Sequence, residues 1–306
     1  MTRTTDPRPG RFACALGLGV LLACGTARAC DDGWLDVQDR YRDDGVDVLA
    51  SNGSDYPLTF TVAVRPKGLT LDGRREVTAT LGPGESRTVF SLDRAHPDRG
   101  GHYRYWCDWT VGRLDARHDD SQVYLLPYAT GHSYRVLQGY GSRFSHTGRE
   151  QYAVDFKMAE GTPVHAARDG IVARVVEQHD KGCWEDGCGR YANFIVVLHG
   201  DGTTGEYYHL RQHGALVEEG ERVRAGQRIG LSGNTGHSAL PHLHFAVYRA
   251  VDWGRTQSIP VRFLTADGIV SKPRRGGRYP AAALDDLGTI LGRAGGHGTG
   301  PTTGSK

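Results

Sequence analysis

Between Trp34 and about Tyr128, apolar and polar residues alternate in short runs, "VDVLASN", "LTFTVAVRP", "REVTATLG", "SRTVFSL" and "HYRYWCDWTVG", broken by Gly, Pro, Asn and Asp. A period of two sends successive side chains to opposite faces, so each run predicts a strand, and strands at this spacing predict a small β-sandwich. Its aromatic cluster, Tyr103, Tyr105, Trp106 and Trp109, is assigned to core and edge packing. After a connecting segment near "LLPYATGHSYRVLQG" the same period returns in "GTPVHAARDGIVARVVEQ" and "YANFIVVLHGDGTTGEYYHL", with Gly200, Asp201 and Gly202 as a hairpin turn. "HDKGCWEDGCGR" is the expected tip of another hairpin, and "EEGERVRAGQRIGLSGNTG" alternates around glycine-centred turns. Helical periodicity of useful length is nearly absent, so the predicted fold class is all-β. The expected domains are 1–29 as a signal peptide, 30–130 as the sandwich, 131–268 as a second β-sheet domain, and 269–306 as a flexible Gly/Arg-rich tail with one weak helical patch, "AAALDDLGTILG".

A chain of 306 residues with 38% hydrophobic and 24% charged residues has the composition of globular protein and room for two modest domains. The opening "MTRTTDPRPGRFACALGLGVLLACGTARA" places arginines ahead of an apolar run from Phe12 to Cys24 and ends in Ala27-Arg28-Ala29. That is the pattern of a secretory signal cleaved after Ala29, since the run is too short to span a bilayer. Acylation at Cys24 in "LLAC" is the alternative. The expected location is secreted or periplasmic, with no stable membrane insertion after cleavage. Cleavage removes four arginines and one aspartate and takes the formal charge from +2 to −1, which argues against a nucleic-acid binder. Four cysteines then remain, an even number that suits two disulfides in an exported protein: Cys183 with Cys188, and Cys30 with Cys107. Their spacing is unlike that of a zinc knuckle.

In "SALPHLHFAVYRA" the alternation puts Leu243, Phe245 and Val247 on one face and His242, His244 and Ala246 on the other. A core histidine bonded to a carbonyl needs no second imidazole two residues away, so this pair points to a site. Asp155, in "EQYAVDFKM", lies on the face opposite Tyr152, Val154 and Phe156, and a buried aspartate needs a partner. His209, in "GEYYHLR", is expected on the same side as Tyr207 at the end of a hairpin strand. Singly, Asp155 and His209 read as satisfied polar residues. With the histidine pair they make an array of metal and proton-transfer donors on one sheet.

The series "GSRFSHTG", "YAVDF", "GTPVHAARDGIV", "YYHLR", "GERVRAGQRIGLSGNTG" and "PHLHF" resembles, in order and spacing, the lysostaphin-type M23 zinc metallopeptidases over roughly Gly139 to Tyr248. The resemblance implies a β-sheet core with a substrate groove, and hydrolysis of peptide cross-links in peptidoglycan. It also implies one Zn2+ per chain, Asp155 and His244 as ligands, and His209 and His242 as catalytic histidines beside the metal. Members carry the first ligand four residues before the aspartate, where this chain has Gln151, a poor zinc ligand. His146, whose His-Thr-Gly start matches the family's histidine, is the expected replacement. It lies nine residues before Asp155, an odd offset, so Thr147 and Gly148 must turn the chain. Zinc held by three protein ligands keeps a position for water and lowers that water's pKa to around 7, and a neighbouring histidine can move the proton. His165 and His199 are expected to be surface or packing residues, while His237, Asn234 and Arg143 are lesser candidates for the groove.

The leading reading is a zinc endopeptidase acting on peptidoglycan peptides, expected to be a monomer. The alternative is a catalytically inactive peptidoglycan-binding regulator of another hydrolase, kept open by Gln151, and zinc content separates the two. A third reading, a secreted protease acting on glycine-rich proteins, shares the chemistry and differs only in the groove.

Overall fold

The structure is a computed structural model that describes residues 33–96 and 99–289. The expected signal peptide and Cys30 lie outside the described residues, as does the chain from 290 onward. Two compact units emerge, one built from residues up to Ala116 together with Arg249–Thr256, the other from Arg117–Tyr248 and Gln257 onward.

The first unit comprises β1 (Leu35–Tyr41), β2 (Gly45–Asn52), β3 (Leu58–Lys67), β4 (Leu69–Leu71), β5 (Glu76–Leu81), β6 (Ser86–Arg94) and β7 (His102–Val111). They form two antiparallel sheets, ordered β1-β2-β6-β4 and β5-β3-β7. Alternation in β3 buries Leu58, Phe60, Val62 and Val64 on one face. The intervening Thr59 and Thr61 face Thr80 and Thr78 of β5 at 3.1 and 2.8 Å between hydroxyls, cross-strand pairs that satisfy buried polar atoms. Buried Asn52 donates to the Tyr56, Leu81 and Gly82 carbonyls and accepts from the Ser54 N–H and hydroxyl. Trp34 stacks on Trp109 at 5.1 Å, and the Tyr105 hydroxyl donates to the Val37 carbonyl, joining the two sheets. Cys107 is disulfide-bonded.

The second unit contains β8 (Val123–Leu125), β9 (Val136–Gln138), β10 (Val154–Phe156), β11 (Pro163–His165), β12 (Gly170–Val176), β13 (Gly182–Cys183), β14 (Phe194–Leu198) and β15 (Thr204–Tyr208). These are followed by β16 (Leu210–Ala215), β17 (Arg222–Val223), β18 (Arg228–Ser232), β19 (Gly236–His237), β20 (Leu243–Ala250), β21 (Thr256–Ile259), β22 (Arg262–Thr265) and β23 (Gly268–Val270). Its main sheet runs β17-β12-β14-β15-β20-β10-β9, with β21 also paired to β20. One face of that sheet, Val172, Ile195, Val197, Tyr207, Leu243, Phe245, Val247, Val154 and Phe156, is the core. Truncating Phe245 there would cost about 3–5 kcal/mol. The β14–β15 hairpin closes at 199–203, where the His199 N–H donates to the Thr203 carbonyl and Asp201 accepts from the Thr203 N–H.

Three expectations about organisation change. The first unit ends at Ala116, ahead of the expected limit at 130. It also takes in Arg249–Thr256, where the Trp253 N–H donates to Thr61 Oγ1 at 2.9 Å. The expected flexible tail does not begin at 269. Residues 271–289 pack on the second unit because their backbone completes its ladders: the Gly131 N–H donates to the Ala281 carbonyl, the Ala281 N–H to His132, and the Val136 N–H to Gly277. Ala281 and Ala282 are buried, and the Tyr128 hydroxyl donates to the Tyr279 carbonyl. Within the expected helical patch, a 3₁₀ turn at Leu284–Asp286 leads into α-helix at 287–289, where the described residues end.

Candidate active site

The site is built on the sheet face opposite the core. Asp155 pairs with His244 across β10 and β20, and His244 pairs with Tyr208 across β20 and β15, so these three side chains stand in one row. His244 Nδ1 lies 2.9 Å from Asp155 Oδ1. Gln138, on β9, donates to the other carboxylate oxygen at 2.7 Å and so fixes the plane of the Asp155 carboxyl.

His146 enters this row despite its odd offset. Thr147 is extended, Gly148 takes φ +57, and a 3₁₀ turn at Gly148–Glu150 absorbs the extra residues before β10. Position 148 therefore needs the left-handed freedom of glycine. The buried His146 ring then places Nε2 3.2 Å from Asp155 Oδ1, outside hydrogen-bonding alignment, while Nδ1 faces the Gly139 carbonyl at 3.3 Å. Gln151 is exposed and takes no part in the set.

Regular alternation would leave His209 on the Tyr207 side. The structure departs from that expectation: Tyr207 packs in the core against Phe245 at 5.0 Å, whereas the His209 ring lies 4.5 Å from His242 and 6.0 Å from His244. The cause is local. His209 sits at φ +66, between β15 and β16, and this left-handed step breaks the alternation and turns the ring to the site. His209 Nδ1 lies 2.7 Å from the Thr235 carbonyl and His242 Nδ1 lies 2.8 Å from the Leu240 carbonyl. A carbonyl only accepts, so each Nδ1 carries the proton and Nε2 of the neutral ring keeps its lone pair. His242 Nε2 stands 3.9 Å from Asp155 Oδ1, and the buried His209 Nε2 has no protein hydrogen-bond partner.

Electrostatics separate the histidines into two kinds. Burial, reinforced by His242 and His244, holds His209 well below its usual range, and burial also lowers His242. Both are neutral bases at neutral pH. Burial pulls His244 the same way, but the Asp155 and Glu150 carboxylates outweigh it and push its pKa up to about 9. Burial would raise Asp155, yet the adjoining His146 and His244 rings hold it well below the carboxylate range.

One ligand atom each from His146, Asp155 and His244 lies within 4.8 Å of the others, and all three residues are buried. His146 Nε2 is buried 3.2 Å from a carboxylate oxygen with no hydrogen bond to it, a pair of atoms that a shared cation would satisfy. Two imidazoles and a carboxylate are also the donor types zinc takes in three-ligand sites, so the residues fit that metal. A second group, Cys183, Glu185 and Cys188, has its sulfurs committed to a disulfide with Cα atoms 5.6 Å apart. That disulfide staples the loop carrying Trp184, which is 53% exposed and stacks on Phe144, 71% exposed, at 5.6 Å. Trp184 also meets His237 at 4.4 Å. Ser238 directly follows His237, Asn234 lies three residues before it, and His146 lies two residues after Phe144: the Ser238 hydroxyl donates to Asn234 Oδ1, and His242 Nδ1 is 3.2 Å from the Ser238 oxygen. The aromatic rim is thus connected to the histidine cluster. Arg143 is exposed in the same loop as Phe144.

Residues 149–258 match the family described as Peptidase family M23. The solved catalytic domain of lysostaphin from Staphylococcus simulans is 34% identical, covering 41% of this chain and 88% of that one, with a TM-score of 0.32. The chain belongs to peptidase family M23. Among curated M23 relatives, the peptidoglycan DD-endopeptidase ShyA of Vibrio cholerae serotype O1 is 33% identical over 43% of this chain and 29% of its own length. Glycyl-glycine endopeptidase ALE-1 of Staphylococcus capitis is 34% identical over 59% of this chain and 46% of its own length. The chain thus spans less than half the length of these M23 relatives.

Sequence reasoning missed Gln138, Glu150 and Tyr248. Tyr248 shares the period-two face of His244 and could have been read from it. Glu150 reaches the site only through the 3₁₀ turn, and nothing local marks Gln138.

Proposed function

We propose that this protein is a zinc-dependent endopeptidase that hydrolyses peptide bonds in peptidoglycan stems or cross-bridges. The observation that carries the reading is the convergence of His146, Asp155 and His244 beside two neutral, carbonyl-anchored imidazoles. His146, Asp155 and His244 would hold the ion, which when bound supplies Lewis acidity to polarise the scissile carbonyl and make water a nucleophile at neutral pH. His209 and His242 act around it. Each presents a fixed Nε2 lone pair, so one of the two rings can accept the proton of the attacking water, stabilise the developing oxyanion as the resulting imidazolium, and pass that same proton to the leaving amine. The Phe144–Trp184 pair forms a wall for the peptide beside the site.

The regulator reading rests on Gln151; the approach of His146 to Asp155 and His244 supports the enzyme reading over it. The reading includes export, supported by the signal-like sequence pattern of the first 29 residues. Among the described residues, no helix is long and apolar enough to cross a membrane. Digestion of purified peptidoglycan by residues 30–306, with and without a zinc chelator, tests the proposal. New peptide termini that disappear with chelator are expected. A folded protein that binds the same peptidoglycan and releases nothing would support the regulator.

A further inference from the structure

Nine residues separate His146 from Asp155, and the room is used by the 3₁₀ turn at Gly148–Glu150. The turn is anchored at both ends: the Glu150 N–H donates to the Thr147 carbonyl at 3.0 Å, and the Tyr152 N–H donates to the Ser258 hydroxyl at 3.0 Å. It delivers the Glu150 carboxylate to the far side of His244. There the Tyr248 hydroxyl donates to Glu150 Oε2 at 2.6 Å, and His244 Nε2 lies 3.1 Å from the Tyr248 oxygen. Glu150 Oε2 also stands 3.6 Å from His244 Nε2, an electrostatic contact too long for a hydrogen bond.

The direction of this relay is determined by its end. An ionised carboxylate only accepts, so the tyrosine proton points to Glu150 and the tyrosine oxygen is left to accept from His244. His244 Nε2 must therefore carry a proton, and Nδ1, 2.9 Å from the Asp155 carboxylate, donates as well in the metal-free protein; the Nδ1 proton is the one a metal beside Asp155 would displace, while the relay keeps Nε2 protonated. We infer that Glu150 and Tyr248 are positioning residues that select the Nδ1-ligating form of His244 and set the affinity of the site for its metal. The inference rests on reading His146, Asp155 and His244 as the ligands. A ligating histidine whose second nitrogen is held by a carboxylate or its relay is oriented and made more basic, and loss of such a partner costs 10- to 100-fold in affinity.

The test uses the mature protein stripped of metal, titrated with zinc against a chromophoric chelator. Glu150→Ala and Tyr248→Phe are expected to weaken zinc binding by about 10- to 100-fold. Glu150→Gln, whose amide oxygen still accepts from Tyr248, is expected to recover most of that loss. Cobalt in place of zinc gives a second readout, its visible absorption band shifting in Glu150→Ala and returning in Glu150→Gln. Thermal melting of the metal-free proteins identifies any variant that fails to fold, and the conservative Tyr248→Phe and Glu150→Gln keep the packing. Folded variants with wild-type zinc affinity and an unchanged cobalt spectrum would overturn the positioning role alone. A wild-type protein that binds no zinc would overturn the ligand assignment with it.

Discussion

The β14–β15 hairpin carries a buried histidine just beyond each strand, and the two differ in what surrounds them. His199 and His209 are both fully enclosed, each has Nδ1 on an oxygen (Thr203 Oγ1 at 3.0 Å, the Thr235 carbonyl at 2.7 Å), and each leaves Nε2 without a protein hydrogen bond. Near His199 lie Tyr124, edge-on at 5.8 Å, and the Arg168–Asp201 ion pair, closed on itself at 2.6 Å. Near His209 lie His242 and His244, and beside His244 lie His146 and Asp155, so imidazole and carboxylate groups converge. An unpaired ring nitrogen alone therefore does not mark a site. A site appears where several metal-ligating groups share one centre, because one ion or substrate can then engage them together.

That contrast breaks most sharply at the ligands. Asp155→Ala or His146→Ala should abolish both bound zinc and peptidoglycan hydrolysis, read by elemental analysis and fragment release, and retention of either at wild-type level would remove the metal from the account. Next come the two bases. His242→Ala, and His209→Gly, which keeps the left-handed step unstrained, should each hold zinc yet lose about 10²- to 10⁴-fold in kcat. Smaller is the pH effect. With its pKa at about 9, His244 holds a proton at neutral pH that must leave when Nδ1 binds metal, so zinc affinity should rise about tenfold per pH unit up to about pH 9. The same shift, upward on folding, stabilises the metal-free protein below about pH 6.5, and that stability should fade as pH rises toward 9. Trp184→Ala should raise KM by about two- to tenfold with kcat kept, the range a stacked aromatic contact supplies. At the other end of the hairpin, burial and the nearby Arg168 push His199 down to about 3. His199 is neutral when folded and charged when unfolded below about pH 6.5, so it weakens the fold progressively as pH falls toward 3. His199→Ala should remove that one-proton dependence from acid unfolding curves and leave zinc content unchanged.

The sequence revealed the parts of this arrangement that obey a local period. Asp155 and His244 fall on the non-core face by simple alternation, and the hairpin turn follows from Gly200, Asp201 and Gly202. His209 did not follow that rule, because one residue at positive φ reverses a side chain and no propensity signals it. His146 could be placed only through the His-Thr-Gly resemblance, since the turn that brings it back is set by Gly148 together with long-range anchors such as Ser258. Glu150 depends on the same turn and was invisible for the same reason. The segment 271–289 was misread because composition reports loop character, whereas its order comes from backbone hydrogen bonds to 131–136 and two buried alanines.

The most direct test compares the two ends of the hairpin. Peptide termini released from purified peptidoglycan are counted for His209→Gly and His199→Ala, both shown to be folded and loaded with one zinc per chain. The account predicts that His199→Ala cuts like the wild type while His209→Gly cuts at least about a hundredfold more slowly. Equal cutting by the two proteins would contradict it.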